Sequence, residues 1–137
     1  MDYNIIQFVA ATTSLVFIVS GSFIGDRARQ ALPDEMRLLY SDMMAKRRVF
    51  HILPGLVGIP LYYLAQYSFA LSAEVSYGML TGVFVLFIGH IHVATNRIIR
   101  EQSLPRNFFF SKQTQFSLGY LGLVSFTTGM WLSAYAG

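Results

Sequence analysis

The chain has 137 residues, 54% of them hydrophobic and only 12% charged, with a formal net charge of +3 and a mean hydropathy of +0.49. A soluble domain of this size has too much surface to cover with so few charges, so the apolar excess is expected to face lipid. The absence of cysteine excludes disulfides, a thiolate supplied by the chain and soft-metal thiolate sites.

The segment Tyr3–Gly25 contains no Asp, Glu, Lys or Arg and predicts a membrane-crossing helix over about 4–25. Asp2 stands where a cleaved leader would be basic, and the apolar run is too long for one, so no cleavable targeting segment is expected. The basic stretch Asp26–Arg48 follows. Within it Pro33 suits a first helical position, and Asp34 and Glu35 favour the first turn. Asp34–Arg37 and Asp42–Lys46 have the spacing of helical ion pairs. Met36, Leu39, Tyr40 and Met43 form an apolar stripe expected to lie on the membrane or cap a helix bundle, on a helix able to run on into the next span.

A second span is expected over about 49–72. Its Pro54 and Pro60 remove backbone donors and disturb the carbonyls of Phe50 and Leu56. A kink packed through Gly55 and Gly58 is expected there, with a polar cavity at the kink as the other reading. The third span, about 75–96, ends in Gly89-His90-Ile91-His92 and Asn96-Arg97. Ionisable groups at that depth usually face a bundle interior. Next come Phe108, Phe109 and Phe110 beside Arg106 and Lys112, which read as an interfacial anchor or as a cover over the helix ends. The fourth span is expected over about 114–136, with Trp131 and Tyr135 as belt residues. The runs are continuously apolar rather than alternating, which excludes a β-barrel. The expectation is an all-α, four-helix membrane bundle forming a single domain, 1–137.

All ten basic residues fall between spans one and two (Arg27, Arg29, Arg37, Lys46, Arg47, Arg48) or between spans three and four (Arg97, Arg100, Arg106, Lys112). The positive-inside rule then puts both termini outside and both basic loops in the cytoplasm, with the inner membrane of a bacterium as the expected location. That placement accounts for the charge without nucleic acid. Arg48, Arg97, Arg100 and Arg106 converge on one face as a rim for anionic lipid or a small anionic ligand, and Asn96–Arg100 and Arg97–Glu101 are one helical turn apart.

The three histidines are His51, His90 and His92. His90 and His92 are about 200° apart around a helix and cannot share a pocket. A haem pair of His51 and His90 is the lesser reading, and the absence of a carboxylate or cysteine partner argues against a metal site. His92 is expected to be structural or to contact headgroups.

Over nearly its whole length the layout resembles the MAPEG family, membrane-associated proteins in eicosanoid and glutathione metabolism. Length, four helices, outer termini and a substantial loop after span one are similar. The spacing from Pro60 to Gly89-His90 is similar to the family's proline to Gly-Arg spacing, His92 lies near a family histidine, and Pro105-Arg106-Asn107 falls on its basic segment. Of the family's span-two Arg, His, Asn, Glu and Pro, this sequence has Arg48, His51 and Pro60. Val57 stands about where the acid belongs, and His90 replaces the arginine.

The resemblance implies a glutathione-dependent transferase or peroxidase acting on lipophilic substrates, or a relative that binds another small anion, assembled as a homotrimer. Glutathione would then be held by Arg48, Arg97, Arg100 or Arg106, with His51, His90 and Asn96 in the same binding set. Arg106 and Ser111 would stabilise its thiolate, with Tyr40 a poorer candidate. The alternative is a non-enzymatic membrane subunit that packs on partners or lipid through Gly78 with Gly82 and Gly119 with Gly122 and Ser125.

Overall fold

The computed structural model describes residues 2–136, apart from the side chains of Tyr3, Phe50 and His51. Among the described residues the chain is all-α, with no strand. It forms α1 (Tyr3–Gln30), α2 (Asp34–Ala45), α3 (Val49–Tyr63) continued by a π-helical turn (Leu64–Ser68), α4 (Ala73–Glu101) and α5 (Arg106–Ala136). Asp2 caps α1 by accepting from the Asn4 amide at 3.4 Å, and Ser72 caps α4 by accepting from the Val75 amide at 3.4 Å.

The expected helix in the first basic stretch is α2, with Pro33 one position earlier than anticipated, as the N-cap. The ion pairs Asp34–Arg37 and Asp42–Lys46 (3.3 Å) both form. The helix does not run into α3, because a turn at Lys46, Arg47 and Arg48 separates them. The second basic stretch proves mostly helical. α4 continues through Glu101 and α5 begins at Arg106, leaving only 102–105 between them.

That link is a tight helix stop. Ser103 has φ +50°, its amide bonds to the Arg100 carbonyl at 3.2 Å, and the Leu104 amide bonds to the Ile99 carbonyl at 3.0 Å. This is the Schellman arrangement, in which the left-handed position is usually glycine. The apolar contact that accompanies it is present, since Ile99 and Leu104 share one buried cluster. Ala70, also at φ +50°, ends the π turn in a similar way, with the Leu71 amide on the Ala65 carbonyl at 2.9 Å.

The helices pair antiparallel. α1 lies along α5, where Gly129 meets Ala10, Gly122 meets Ser14 and Ile18, and Gly21 meets Gln115 and Leu118. α3 packs on α4, with Gly58 against Leu80 and Val83 and the Tyr62 and Tyr77 rings 5.4 Å apart. α4 joins the two pairs by packing on α5. This antiparallel order gathers the end of α1, the starts of α3 and α5 and the end of α4 at one basic end.

The apolar residues divide between one buried cluster and outward-facing helix surfaces. Leu32, Tyr40, Ile98, Ile99, Leu104 and Phe108 form the buried apolar cluster, with Met36, Met43 and Met44 of α2 packed against it. All of this lies at the basic end. The long apolar stretches point outward instead, with Phe8 72% and Leu86 74% exposed. α2 therefore caps the helix ends through Met36, Tyr40 and Met43, while Leu39 is exposed. Two helical segments, Asn4–Gln30 and Ala73–Glu101, are long and apolar enough to cross a membrane, and only 22% and 11% of their most apolar windows are buried. A soluble core helix of such composition would be covered.

Candidate functional site

Two polar clusters and one cavity sit where the helices meet. The first cluster joins α4 to α5. Gln113 Nε2 donates to Asn96 Oδ1 at 2.6 Å, which leaves Gln113 Oε1 to accept from His92 Nε2–H at 2.7 Å. In the neutral ring Nδ1 then accepts from the Tyr120 hydroxyl at 3.4 Å. The Phe116 ring stacks on His92 with centroids 4.3 Å apart. Gln113, Phe116 and Tyr120 follow one another at helical spacing on α5, facing His92 and Asn96 one turn apart on α4. Further from the basic end, Thr127 Oγ1 donates to the Leu123 carbonyl at 2.9 Å, so the 2.8 Å contact with Thr81 Oγ1 is donated by Thr81.

The second cluster surrounds Lys112. Its Nζ donates to Gln115 Oε1 at 2.9 Å and lies 5.4 Å and 5.6 Å from the centroids of the Tyr40 and Phe108 rings. Those rings meet edge-on at 5.0 Å. Burial holds the ammonium down to about 8, with Asp26 opposing and Arg29 reinforcing that effect. Burial likewise pushes the Tyr40 hydroxyl up to about 12, against smaller opposing effects of Arg29 and Thr95.

Between the two helix pairs lies a cavity of about 520 Å³. Ser14, Ile18 and Ser22 of α1, Pro54 of α3, Tyr77 and Thr81 of α4, and Gln115, Gly119 and Thr127 of α5 are on its walls. Its size lies within the roughly 300–1,000 Å³ usual for small-molecule sites, and its mostly apolar walls with a few polar points fit that class. Pro54 thus borders a cavity, but a mostly apolar one rather than the polar cavity expected at the kink.

The sequence-derived candidates are dispersed. Asn96 joins the His92 cluster, and Arg97 is exposed and bonded to Glu101 at 2.7 Å. Arg48 precedes α3 and Arg100 lies in the last turn of α4, both exposed. Arg106 lies 5.2 Å over the Phe110 ring, and Ser111 is half-buried. His90 is exposed while His92 faces α5, so the two do point apart. The His51 side chain lies outside the described residues. Of the three phenylalanines, Phe108 is core and Phe110 is exposed, so Phe108 helps cover the helix ends while Phe110 points outward. Among the described residues no three His, Cys, Asp or Glu side chains cluster as metal ligands.

From the sequence Lys112 reads only as one basic residue beside the phenylalanines, and Gln113, Gln115 and Tyr120 are passed over. The signal was the polar run Lys112–Gln115 leading into the apolar part of α5, with Tyr120 two helical turns beyond Gln113. Comparison with family models, with curated proteins and with solved structures finds no match to this chain.

Proposed function

We propose that the chain is a four-span integral membrane protein that takes a lipophilic small molecule from the bilayer into the cleft between its helix pairs. In this reading the segments 4–25, 49–72, 75–96 and 114–136 cross the membrane, both termini are outside and the basic end faces the cytoplasm of a bacterial inner-membrane protein. α3 with its π turn supplies twenty helical residues, Val49–Ser68, enough for about 30 Å of hydrocarbon. The observation that carries the functional reading is the cavity itself: apolar walls at mid-helix depth, with Thr81, Thr127 and Gln115 as fixed polar points. Its test is labelling in lipid nanodiscs with an alkyl diazirine. Saturable labelling of the cavity walls, suppressed by Gly119→Trp, is the expected result. Labelling confined to the outer helix faces overturns the reading.

As an enzyme, in keeping with the MAPEG-like layout, the protein would join glutathione to a lipophilic electrophile at the basic end. Arg106 and Ser111 would support the thiolate, and Arg48, His51, His90, Asn96, Arg97 and Arg100 would form the binding set in a homotrimer. The exposed Arg48, Arg100 and Arg106, which form no ion pair among the described residues, favour this version. Thermal unfolding in detergent tests it. A ligand at 100 times its Kd adds about 2.7 kcal/mol, so a saturable rise in Tm, lost in Arg48→Ala or Arg106→Ala, supports glutathione. No shift at millimolar glutathione removes it.

The partner-binding reading draws on Gly55, Gly78 and Gly82, where an added Cβ would meet nothing within 4 Å. A self-contained trimer in detergent favours the family-like layout, and a monomer unstable alone favours a partner-dependent subunit.

A further inference from the structure

Lys112 is only 8% exposed, and its Nζ reaches Gln115 Oε1 but no carboxylate. The ion pairs of the described residues all join other side chains, and Asp26, whose charge Lys112 feels, pairs with Arg29 at 3.6 Å. An ammonium has three donors, and a buried cation without a counterion is costly. The aromatic faces of Tyr40 and Phe108 offset only part of that cost.

Gln115 connects this cation to the cavity. Its Oε1 is occupied by Lys112, so the group it has left to offer is its Nε2 donor pair, and the residue lines the cavity wall. Gly25 makes room for it, because a Cβ there would collide with the Gln115 amide. Gln115 thus stands at the basic end of the cavity, with the Lys112 ammonium, itself off the wall, bonded behind it. From Gln115 to Thr127 the wall runs about 18 Å at 1.5 Å per residue, a long and narrow shape rather than a round one.

We infer that the cleft holds a single-chain lipid anion, its alkyl chain between the helix pairs and its carboxylate or monophosphate head at Gln115 and Lys112. The inference rests on the reading of the cleft as a lipophilic site and adds the charge and position of the head. The head supplies the missing counterion, and the Gln115 amide and the remaining Lys112 protons satisfy its oxygens. Because Gln115, Lys112 and the cavity walls all come from one chain, the site does not require a second subunit.

The test uses the full chain in phosphatidylcholine nanodiscs and three diazirine probes of equal length: a fatty acid, an alkyl phosphate and a fatty alcohol. At least one anionic probe is expected to label the cavity walls with half-saturation about tenfold or more below the alcohol. Which anion does so identifies the head. Lys112→Met should bring the anion to the level of the alcohol without changing the alcohol, while Lys112→Arg keeps the preference. If Lys112→Met does not fold, Gly25→Ala, which displaces Gln115 and keeps the charge, should lower the same preference several-fold. Equal labelling by all three probes, or a preference unchanged in these variants, overturns the head assignment and leaves the lipophilic cleft standing. Displacement of the anionic probe by added phosphatidylglycerol assigns the head site to two-chain membrane lipid and overturns the single-chain ligand. Failure of every probe to label the walls sinks the cleft reading beneath it.

Discussion

Gly129 of α5 lies directly against Ala10 of α1, so that a Cβ at position 129 would collide with the Ala10 methyl and lie 3.3 Å from its Cα. Neither atom is the end of a flexible side chain, so the helices themselves must part. Ala10, Ser14, Gly21 and Gly25 on α1, and Gly122, Gly129 and Ser133 on α5, are all buried. This small-residue seam holds the longest helix pair at close range. Gly129→Ala is expected to destabilise the protein by about 1–3 kcal/mol, the usual cost of overpacking. Denaturation in mixed detergent micelles measures it, and Ala10→Gly in the same chain should recover much of the loss. Gly78→Ala, with open space around the added methyl, serves as the neutral control within one chain.

Ser103 pays the left-handed penalty that glycine avoids. Its φ of +50° costs an L-residue roughly 1–2 kcal/mol. Ser103→Gly should therefore raise stability by about 1 kcal/mol and leave the Leu104–Ile99 bond in place. A higher midpoint of thermal unfolding is the expected readout, and an unchanged or lower midpoint would show that this stop is not strained.

The His92 cluster joins α4 to α5 through three side-chain bonds. Gln113→Leu removes two of them and leaves His92 Nε2–H and Asn96 facing a hydrocarbon side chain. Interhelical bonds of this kind average about 0.6 kcal/mol in membranes and reach about 1.7. A loss of about 1–2 kcal/mol is expected, and Asn96→Leu added to Gln113→Leu should cost less than the two losses summed. Strict additivity would show that the bonds do not act together.

Stability should rise with pH above 8. Burial holds Lys112 down to about 8, whereas the unfolded lysine keeps its proton to about 10.4. Between those values the unfolded chain binds more protons, so raising the pH favours the folded state, by at most about 3 kcal/mol. Above about 10 the tyrosines of the unfolded chain ionise while burial keeps Tyr40 neutral to about 12, and stability falls again. Unfolding midpoints between pH 7.5 and 10 check this. The rise should vanish in Lys112→Met, and its persistence there would assign it to another group.

Much of the architecture was legible in the sequence because hydropathy and charge act locally. The four charge-free runs anticipated α1, α3, α4 and α5, and opposite charges one turn apart anticipated the pairs Asp34–Arg37, Asp42–Lys46 and Arg97–Glu101. The helix stop at Ser103 was hidden because serine occupies a position that glycine would have advertised. Gly119 and Gly122 sit three residues apart, yet Gly122 touches Ile18 while Gly119 faces the cavity. Spacing shows that glycines share a helix, not which neighbouring helix each one meets.

The sequence by itself determined an all-α chain whose basic residues bracket its apolar runs, since helix formation and charge segregation need only nearby residues. Only the tertiary structure decided that His92 turns to Gln113 while His90 turns outward, and that Lys112, one cation among ten, lies buried beside Tyr40, Phe108 and Gln115. Those outcomes depend on which faces of distant helices pack together, and desolvation is a property of the packed assembly rather than of any residue within it.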